Sequence, residues 1–492
     1  MAFTKILKKG GNKYAIRVEG YRDENGKVKH KYLEYLGKVG KDGKIISKEP
    51  DTEKVYQFGF PCIVDKALKE LDLEKALGGH TKEVSFLITM HLCNPGSLNK
   101  MIKRGVLIDP SLITTYSRKS LEASIDFLEE HKELIEQKIY EKIKEECKEK
   151  SFFYDLTAIA LNGVRSRYAE VGYPEFAPQL NVGLCIEAGS GFPVFHEVYE
   201  GNLSHKTTLK QIMERLRSFD RESTVLVFDA GVFGEGKNLE EALGEDLKGF
   251  DVITRVPMTS SIKSLAISNK TTSIRDVVCL SNSKIYAREV PKEEGKLVVC
   301  FNERVKVSVR ERRYEEILKA LEKKKKGKPI KEGLKKYLVK EGGVWMMNLE
   351  EMEESEKYDG LYVLYCSDEK MLKEEIVIKY FDKDLIEKSF CKLKSTIEVK
   401  PIRFQTDQKI RGHIMLCHLS YLVAAYIEKK LREKQKKDKK EKKHTMASIK
   451  ELLANVYNIH SIKAEKEYTH ITSLTKEQKE IMDLFKCCHK QG

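Results

Sequence analysis

The sequence of 492 residues contains no CxxC pair among its eleven cysteines, and the adjacent Cys487 and Cys488 have no partners at zinc-ligand spacing. Zinc fingers and ribbons are therefore excluded as organising elements. An odd cysteine count argues against a secreted disulfide scaffold, and the opening MAFTKILKKGG lacks an apolar core of signal-peptide length. Free thiols in a reducing cytoplasm are the expectation. A bilayer-spanning run is also missing: the longest apolar stretch, around Ile414 to Ile427, is interrupted by His418 and Ser420 and is too short. Tryptophan occurs once, at Trp345. Hydrophobic residues, at 41%, are slightly few for a globular protein, whereas charged residues reach 34%. Tyrosine, phenylalanine and β-branched residues are nonetheless spread along the chain, which excludes disorder and points to folded domains with a heavily charged surface.

What is abundant is positive charge. Ninety lysines and arginines oppose 76 acidic residues, a net charge of +14. Such an excess favours a polyanionic partner through counterion release, nucleic acid being the commonest, although many large proteins are merely basic. The length predicts two to four domains.

Residues 13–38 alternate apolar and polar side chains around Asp23-Glu24-Asn25-Gly26, which predicts a β-hairpin, and residues 1–50 form a basic N-terminal hairpin region. Residues 51–149 carry apolar side chains at three- and four-residue intervals and read as a helical region, punctuated by Asn94-Pro95-Gly96-Ser97. Strand patterns follow at SFFYDLTAIAL (151–161), QLNVGLCIEA (179–188), FPVFHEVYE (192–200) and STVLVFDAG (223–231), with the helical TTLKQIMERLRSF before the last. Strands in succession, then a helix, then a further strand predict a mixed α/β sheet. Residues 150–234 are its first part, 235–358 a β-rich insertion, and 359–430 its second part, from the strand DGLYVLYCS through a helix beginning near Lys373. Residues 431–492 are a basic linker and a helical tail. The run 429–443 holds ten basic and three acidic side chains, a local charge of +7, and reads as a solvated face before a specific DNA contact.

Three carboxylates stand out. Asp155 lies inside an apolar strand, where a carboxylate is costly unless paired or bound to a cation. Asp229 ends the run VLVF, at the carboxyl end of a strand, where ligands of α/β sheets gather. In the third segment, Ile386, Phe390, Leu393 and Ile397 form an apolar helical stripe. Tyr380, Lys383, Glu387 and Lys394, at i, i+3, i+7 and i+14, share the face beside it. Standing alone, that face would read as a surface ion-pair ladder.

The spacing Y-x2-[RK]-x3-E-x6-K of Tyr380, Lys383, Glu387 and Lys394 resembles the YREK signature of bacterial insertion-sequence DDE transposases. It follows two strand-borne aspartates in the order that group shows, across a long insertion of the kind it carries. YDLTAIAL, PQLNVGLCIEAGSGFPVFHEVYEGNLSHKTTL, VLVFDAGVF and IEVKPIRFQTDQKIRGHIMLCHLSYLV are similar to other stretches of the same group, as are GYRDENGK and the NPGS turn. The likeness thus covers most of the chain and is weakest in the insertion and the C-terminus. It departs at Lys383, where arginine is usual, and a lysine offers phosphate a point charge in place of a bidentate fork.

The resemblance implies a ribonuclease H-like core in which Asp155, Asp229 and Glu387 hold two Mg²⁺ ions, with Mn²⁺ able to substitute. It implies cleavage at the inverted-repeat ends of a mobile element and joining of the 3′-hydroxyls to target DNA. Lys394 would touch a backbone phosphate, Tyr380 and Lys383 would position the strand end, and the region 51–149 would bind double-stranded DNA, the protein acting as a homodimer. The rivals are a metal-dependent nuclease and a transposase-derived DNA-binding protein that no longer cuts. Thr157, on the strand face of Asp155, could support the site. His196, His205, Arg411 and His413 are candidates for structural roles or, for the last two, phosphate contact. Trp345 could stack on an extruded base or fill a core.

Overall fold

The computed structural model describes residues 2–47, 52–145, 147, 151–161, 163, 165–172, 177–203, 205–219, 224–228, 249–280, 283–382, 401–438, 444–463 and 466–487. The chain divides into two compact units, one of residues 1–124 with 426–492 and one of residues 125–425.

In the first unit the strands β1 (Ala2–Lys9), β2 (Asn12–Arg22), β3 (Val28–Val39) and β4 (Ile45–Ser47) form an antiparallel sheet in chain order. The expected hairpin is its β2–β3 centre. Asp23 Oδ1 accepts the amides of Asn25 at 3.0 Å and Lys27 at 2.9 Å, and Gly26 takes a positive φ of 72°. The N-terminal region is thus four-stranded rather than a single hairpin, because LysGlyGly at 9–11 turns the chain back before β2 with both glycines at positive φ.

Strand β5 (Thr52–Gln57) then leads into the helices Gly59–Leu71, Thr81–Cys93 and Leu98–Gly105, among others. The C-terminal segment does not form the helical tail expected from its sequence. Helices Met446–Leu452 and Lys476–Leu484, each opened by a threonine capping box, flank a hairpin of β18 (Tyr457–Lys463) and β19 (Lys466–Ile471). Strand β18 also pairs with β5. The reason lies in Tyr457-Asn458-Ile459-His460, where apolar and polar side chains alternate with a period of two that a helix cannot use. Lysines of the basic run have partners in this unit: Lys430 pairs with Glu70, and Lys434 Nζ donates to the Glu480 carbonyl at 2.7 Å.

The second unit is built on a ten-stranded mixed sheet. It comprises β6 (Ser151–Ala160), β7 (Glu170–Gly172), β8 (Ala177–Glu187), β9 (Pro193–Glu200), β10 (Thr224–Phe228), β11 (Phe250–Val256), β12 (Val277–Cys279), β13 (Lys284–Pro291), β14 (Lys296–Phe301) and β17 (Leu361–Cys366). The order is β12-β13-β14-β17-β11-β10-β6-β8-β7, with β9 also on β8. Strands β6, β8 and β9 are antiparallel, whereas β10 runs parallel to both β6 and β11. All five residues of β10 are buried, as its unbroken apolar sequence requires of a central parallel strand. Strands β11 to β14 of the insertion belong to this main sheet, joined to it through β10 and β17. The hairpin of β15 (Leu338–Glu341) and β16 (Val344–Met347) packs with helix Glu303–Lys325 in a satellite core around Ile317, Ala320, Leu338 and Met352. Trp345 belongs to that satellite, beneath Lys324 at 4.8 Å from the ring centroid, which favours the packing role over base stacking.

Helix Asp407–Asp438, which contains the division between the units, is apolar around much of its circumference from Ile410 to Ile427 and charged beyond. Its segment 407–436 is long and apolar enough to cross a membrane, but 89% of the apolar window is buried within the protein, as in a core helix. At Gly201, in the Gly-Asn turn after β9, an added Cβ would run into the carbonyl oxygens of Gln179 and Glu170. Neither oxygen can retreat, since both belong to strand backbone. Replacing Gly201 with alanine should cost roughly 1–3 kcal/mol. A thermal melt would show a drop of several degrees; an unchanged midpoint would mean the turn is not closed as described.

Candidate active site

Strand β6 carries Asp155 near its middle, half-buried, with the Leu156 amide donating to its Oδ1 at 2.8 Å. Directly paired residues of antiparallel strands share a face. Asp155 pairs with Leu184 of β8, which pairs with His196 of β9, so these three point to one side. By the period of two, Ser151, Phe153 and Thr157 point there as well. Tyr154, Cys185 and Phe195 occupy the other face, where Gly183 admits Tyr154: a Cβ there would lie 2.8 Å from the phenolic oxygen.

Strand β10 sits beside β6 in parallel, Val227 opposite Phe153, and ends at Phe228. Asp229 is the next residue of the chain and lies outside the described residues, as do Lys383, Glu387 and Lys394. Tyr380 is described, close to the end of helix Lys373–Phe381. Its side chain is only 8% exposed and meets the Phe381 ring edge-on at 5.7 Å. The helix lies on the face of Asp155, because Lys379 Nζ donates to Ser151 Oγ at 2.7 Å. Of the six residues singled out by sequence, the structure thus places Asp155 in the strand and Tyr380 at the end of a helix packed on the same face.

Thr157 is buried on that face, in register with Val182. Arg411 pairs with Glu129, and its Nη1 donates to the Tyr168 hydroxyl at 2.8 Å, so its guanidinium is engaged within the fold. His413 is buried beside the Phe404 ring and lies 3.7 Å from Cys417 Sγ. The backbone of His205 begins helix His205–Arg217.

A second constellation was not foreseen from the sequence. Glu136, on helix Lys132–Ile143, is completely buried. Its Oε1 accepts the main-chain amide of His196 at 3.1 Å, covering the outer edge of β9, and stands 2.9 Å from His196 Nδ1. Its Oε2 lies 3.3 Å from Lys132 Nζ and 3.2 Å from Arg215 Nη2. Burial alone would raise the Glu136 carboxyl, but the Lys132 charge and His196 hold it well below the usual carboxylate range. Lys132 also reaches Glu197 at 2.8 Å; burial opposes its charge, and the two carboxylates keep the ammonium protonated. His418 completes the group, its ring 5.0 Å from that of His196, and burial depresses its pKa to about 3, so the imidazole is neutral. A cleft of about 540 Å³ opens beside this cluster, lined by His196, Lys132, Glu197, Tyr168 and Arg411 among others. The signal was present: Glu136 stands at i of Ile139, Tyr140 and Ile143 (i+3, i+4, i+7), a carboxylate on the apolar stripe.

No protein-family model matches the chain, and no curated protein matches its sequence. Among solved structures it is similar to a piggyBac transposase, seen by cryo-EM in a synaptic complex with hairpin DNA. The identity is 10%, 82% of each chain is covered, and the TM-score is 0.37. At that score the likeness establishes neither fold nor activity for this chain.

The hydrogen bond from Lys379 to Ser151 fixes the Tyr380-bearing helix to β6, while Glu375, one turn earlier on the same helix, lies 3.7 Å from the Lys379 ammonium. Lys379→Met should lower stability by about 1 kcal/mol, read as a fall of a few degrees in the melting midpoint, with Lys379→Arg recovering most of it. An unaltered midpoint in Lys379→Met would contradict this placement.

Proposed function

We propose that the chain is a DDE-type transposase of the insertion-sequence group with the YREK signature, built on a ribonuclease H-like core. The observation that carries the reading is the strand order β9-β8-β6-β10-β11, three antiparallel strands followed by two parallel to the first, with Asp155 in the middle strand. Two features support it further. Asp229 directly follows β10, the strand beside β6, and helix Lys373–Phe381, from which the chain runs on to Glu387, packs on the face of Asp155.

In this reading the substrate is double-stranded DNA, first at the inverted-repeat ends of the element and then at its target, bound by a homodimer. The net charge of +14 suits such a partner. Asp155 offers hard carboxylate oxygens from a rigid, doubly paired strand, the donor type that Mg²⁺ prefers. Asp229 and Glu387 would complete the set. Bound there, two Mg²⁺ ions would supply the Lewis acidity that in-line phosphoryl transfer requires. Tyr380, packed on Phe381, would fix the helix end ahead of Lys383, and Lys383 and Lys394 would hold the phosphates of the reacting strand. A lysine at 383 neutralises phosphate but does not set its angle as arginine does. The sheet face between β6 and β10 would therefore set the geometry of the reacting strand more than that side chain.

The test is cleavage of labelled element-end DNA with Mg²⁺, followed by joining to a target duplex. Asp155→Asn and Glu387→Gln should each lower both steps by more than about 100-fold, since even outer-shell changes at metal sites cost about 10–100-fold. Chelation should stop both. Undiminished cleavage by either variant would remove the residue from the site, and cleavage by the wild type without joined product would make the protein a nuclease.

A further inference from the structure

We propose that Glu136, His196 and His418 form a binding site for a first-row divalent metal ion of the zinc type, separate from the carboxylate site. This proposal is independent of the transposase reading, as it concerns a cluster that the proposed DNA chemistry does not use.

The three side chains come from helix Lys132–Ile143, from strand β9 and from helix Asp407–Asp438. One ligand atom of each lies within 4.8 Å of the others, and all three residues are buried. His418 is 2% exposed, and neither of its ring nitrogens has a hydrogen-bond partner among the described residues. Two buried polar atoms without partners are costly, and a native fold rarely leaves them so. His196 shows the same feature: both ring nitrogens lack an aligned hydrogen bond, although Nδ1 stands 2.9 Å from Glu136 Oε1. Two donors each about 2.0–2.1 Å from a shared ion are roughly 3 Å apart, so this separation suits co-ligation.

The surrounding charges allow it. Lys132 and Arg215 contact Oε2 of Glu136, whereas His196 faces its other oxygen, Oε1. Each has a second carboxylate, Glu197 at 2.8 Å for Lys132 and Glu133 at 3.3 Å for Arg215, so Glu136 can serve an ion without leaving either cation unpaired. The His196 amide donates to Oε1 and orients the carboxylate, as outer-shell groups do at metal centres. Two imidazoles and one carboxylate suit Zn²⁺, or Co²⁺ and Ni²⁺, and not Mg²⁺ or Ca²⁺, which take oxygen ligands. His196 and Lys132 line the 540 Å³ cleft, which gives an ion a route in. The role this suggests is structural: the ion would tie the outer edge of β9 to two helices.

The experiment uses the untagged full chain, expressed with Zn²⁺ in the medium, freed of loose metal and assayed for metal content, then reloaded with Co²⁺. About one equivalent of zinc should remain bound, and the Co²⁺ form should show visible ligand-field absorption without a thiolate charge-transfer band. In His418→Gln the affinity should fall by at least 10-fold, and added Zn²⁺ should no longer raise the melting midpoint. Should that variant fail to fold, the wild-type Co²⁺ spectrum decides alone. No stoichiometric metal, a thiolate band that moves the ion to the cysteines, or undiminished binding in folded His418→Gln would each overturn the proposal. DNA cleavage is not the readout, so a failed transposase assay leaves this result standing and the reverse also holds.

Discussion

Strand β6 is paired with β8 from Phe152 to Ala160 and with β10 from Ser151 to Phe153, and the strand pleat sends a side chain at its middle out through one face of the sheet or the other. Asp155 is therefore held where a rigid strand puts it, among neighbours that are nearly all buried and apolar. A carboxylate in such a place is tolerated when a cation or a hydrogen bond meets it. The parallel approach of β10, which ends one residue before Asp229, and the helix that Lys379 fastens to Ser151 both follow from that central pairing. Loosening the sheet between β6 and β10 would remove the geometric basis of the site as a whole.

The edge of the same sheet presents the opposite electrostatic problem. Strand β9 carries an outward main-chain amide at His196, and the fold satisfies it with a buried carboxylate, Glu136, rather than with another strand. That choice brings Lys132 and Arg215 inward to balance the charge and leaves the imidazoles of His196 and His418 facing one another. Buried ion pairs seldom add stability over apolar packing, and breaking one is costly. A network of this kind therefore reads as a device that specifies position.

Much of this architecture was legible in the sequence. The four strand patterns between 151 and 231 lie where β6, β8, β9 and β10 form, since unbroken apolar runs and period-two alternation leave few alternatives. The helix before β10 was legible for the same reason. Registers and neighbours were not, because pairing is a long-range property: no local pattern says that the insertion's β14 joins β17 and so continues the main sheet. The C-terminal hairpin was missed because lysines and glutamates around 463–467 hide a short alternation inside a helix-like composition. As for the site, the sequence offers Asp155 by its apolar strand and Tyr380 by the motif spacing as candidates for one constellation, and the structure puts the Tyr380 helix on the face of Asp155. The cluster of Glu136, His196 and His418 escaped notice because its members are 60 or more residues apart, and each alone has an ordinary explanation.

The central claim is that Asp155 shares a divalent-cation site with Asp229 and Glu387. Oxidative self-cleavage tests it most directly: Fe²⁺ is substituted for Mg²⁺ in the purified protein, ascorbate and peroxide are added, and the polypeptide cuts are mapped. The account predicts backbone cuts clustered around 155, 229 and 387, suppressed by excess Mg²⁺ and weakened in Asp155→Asn. Cuts that avoid all three positions, or that persist unchanged in Asp155→Asn, would contradict it.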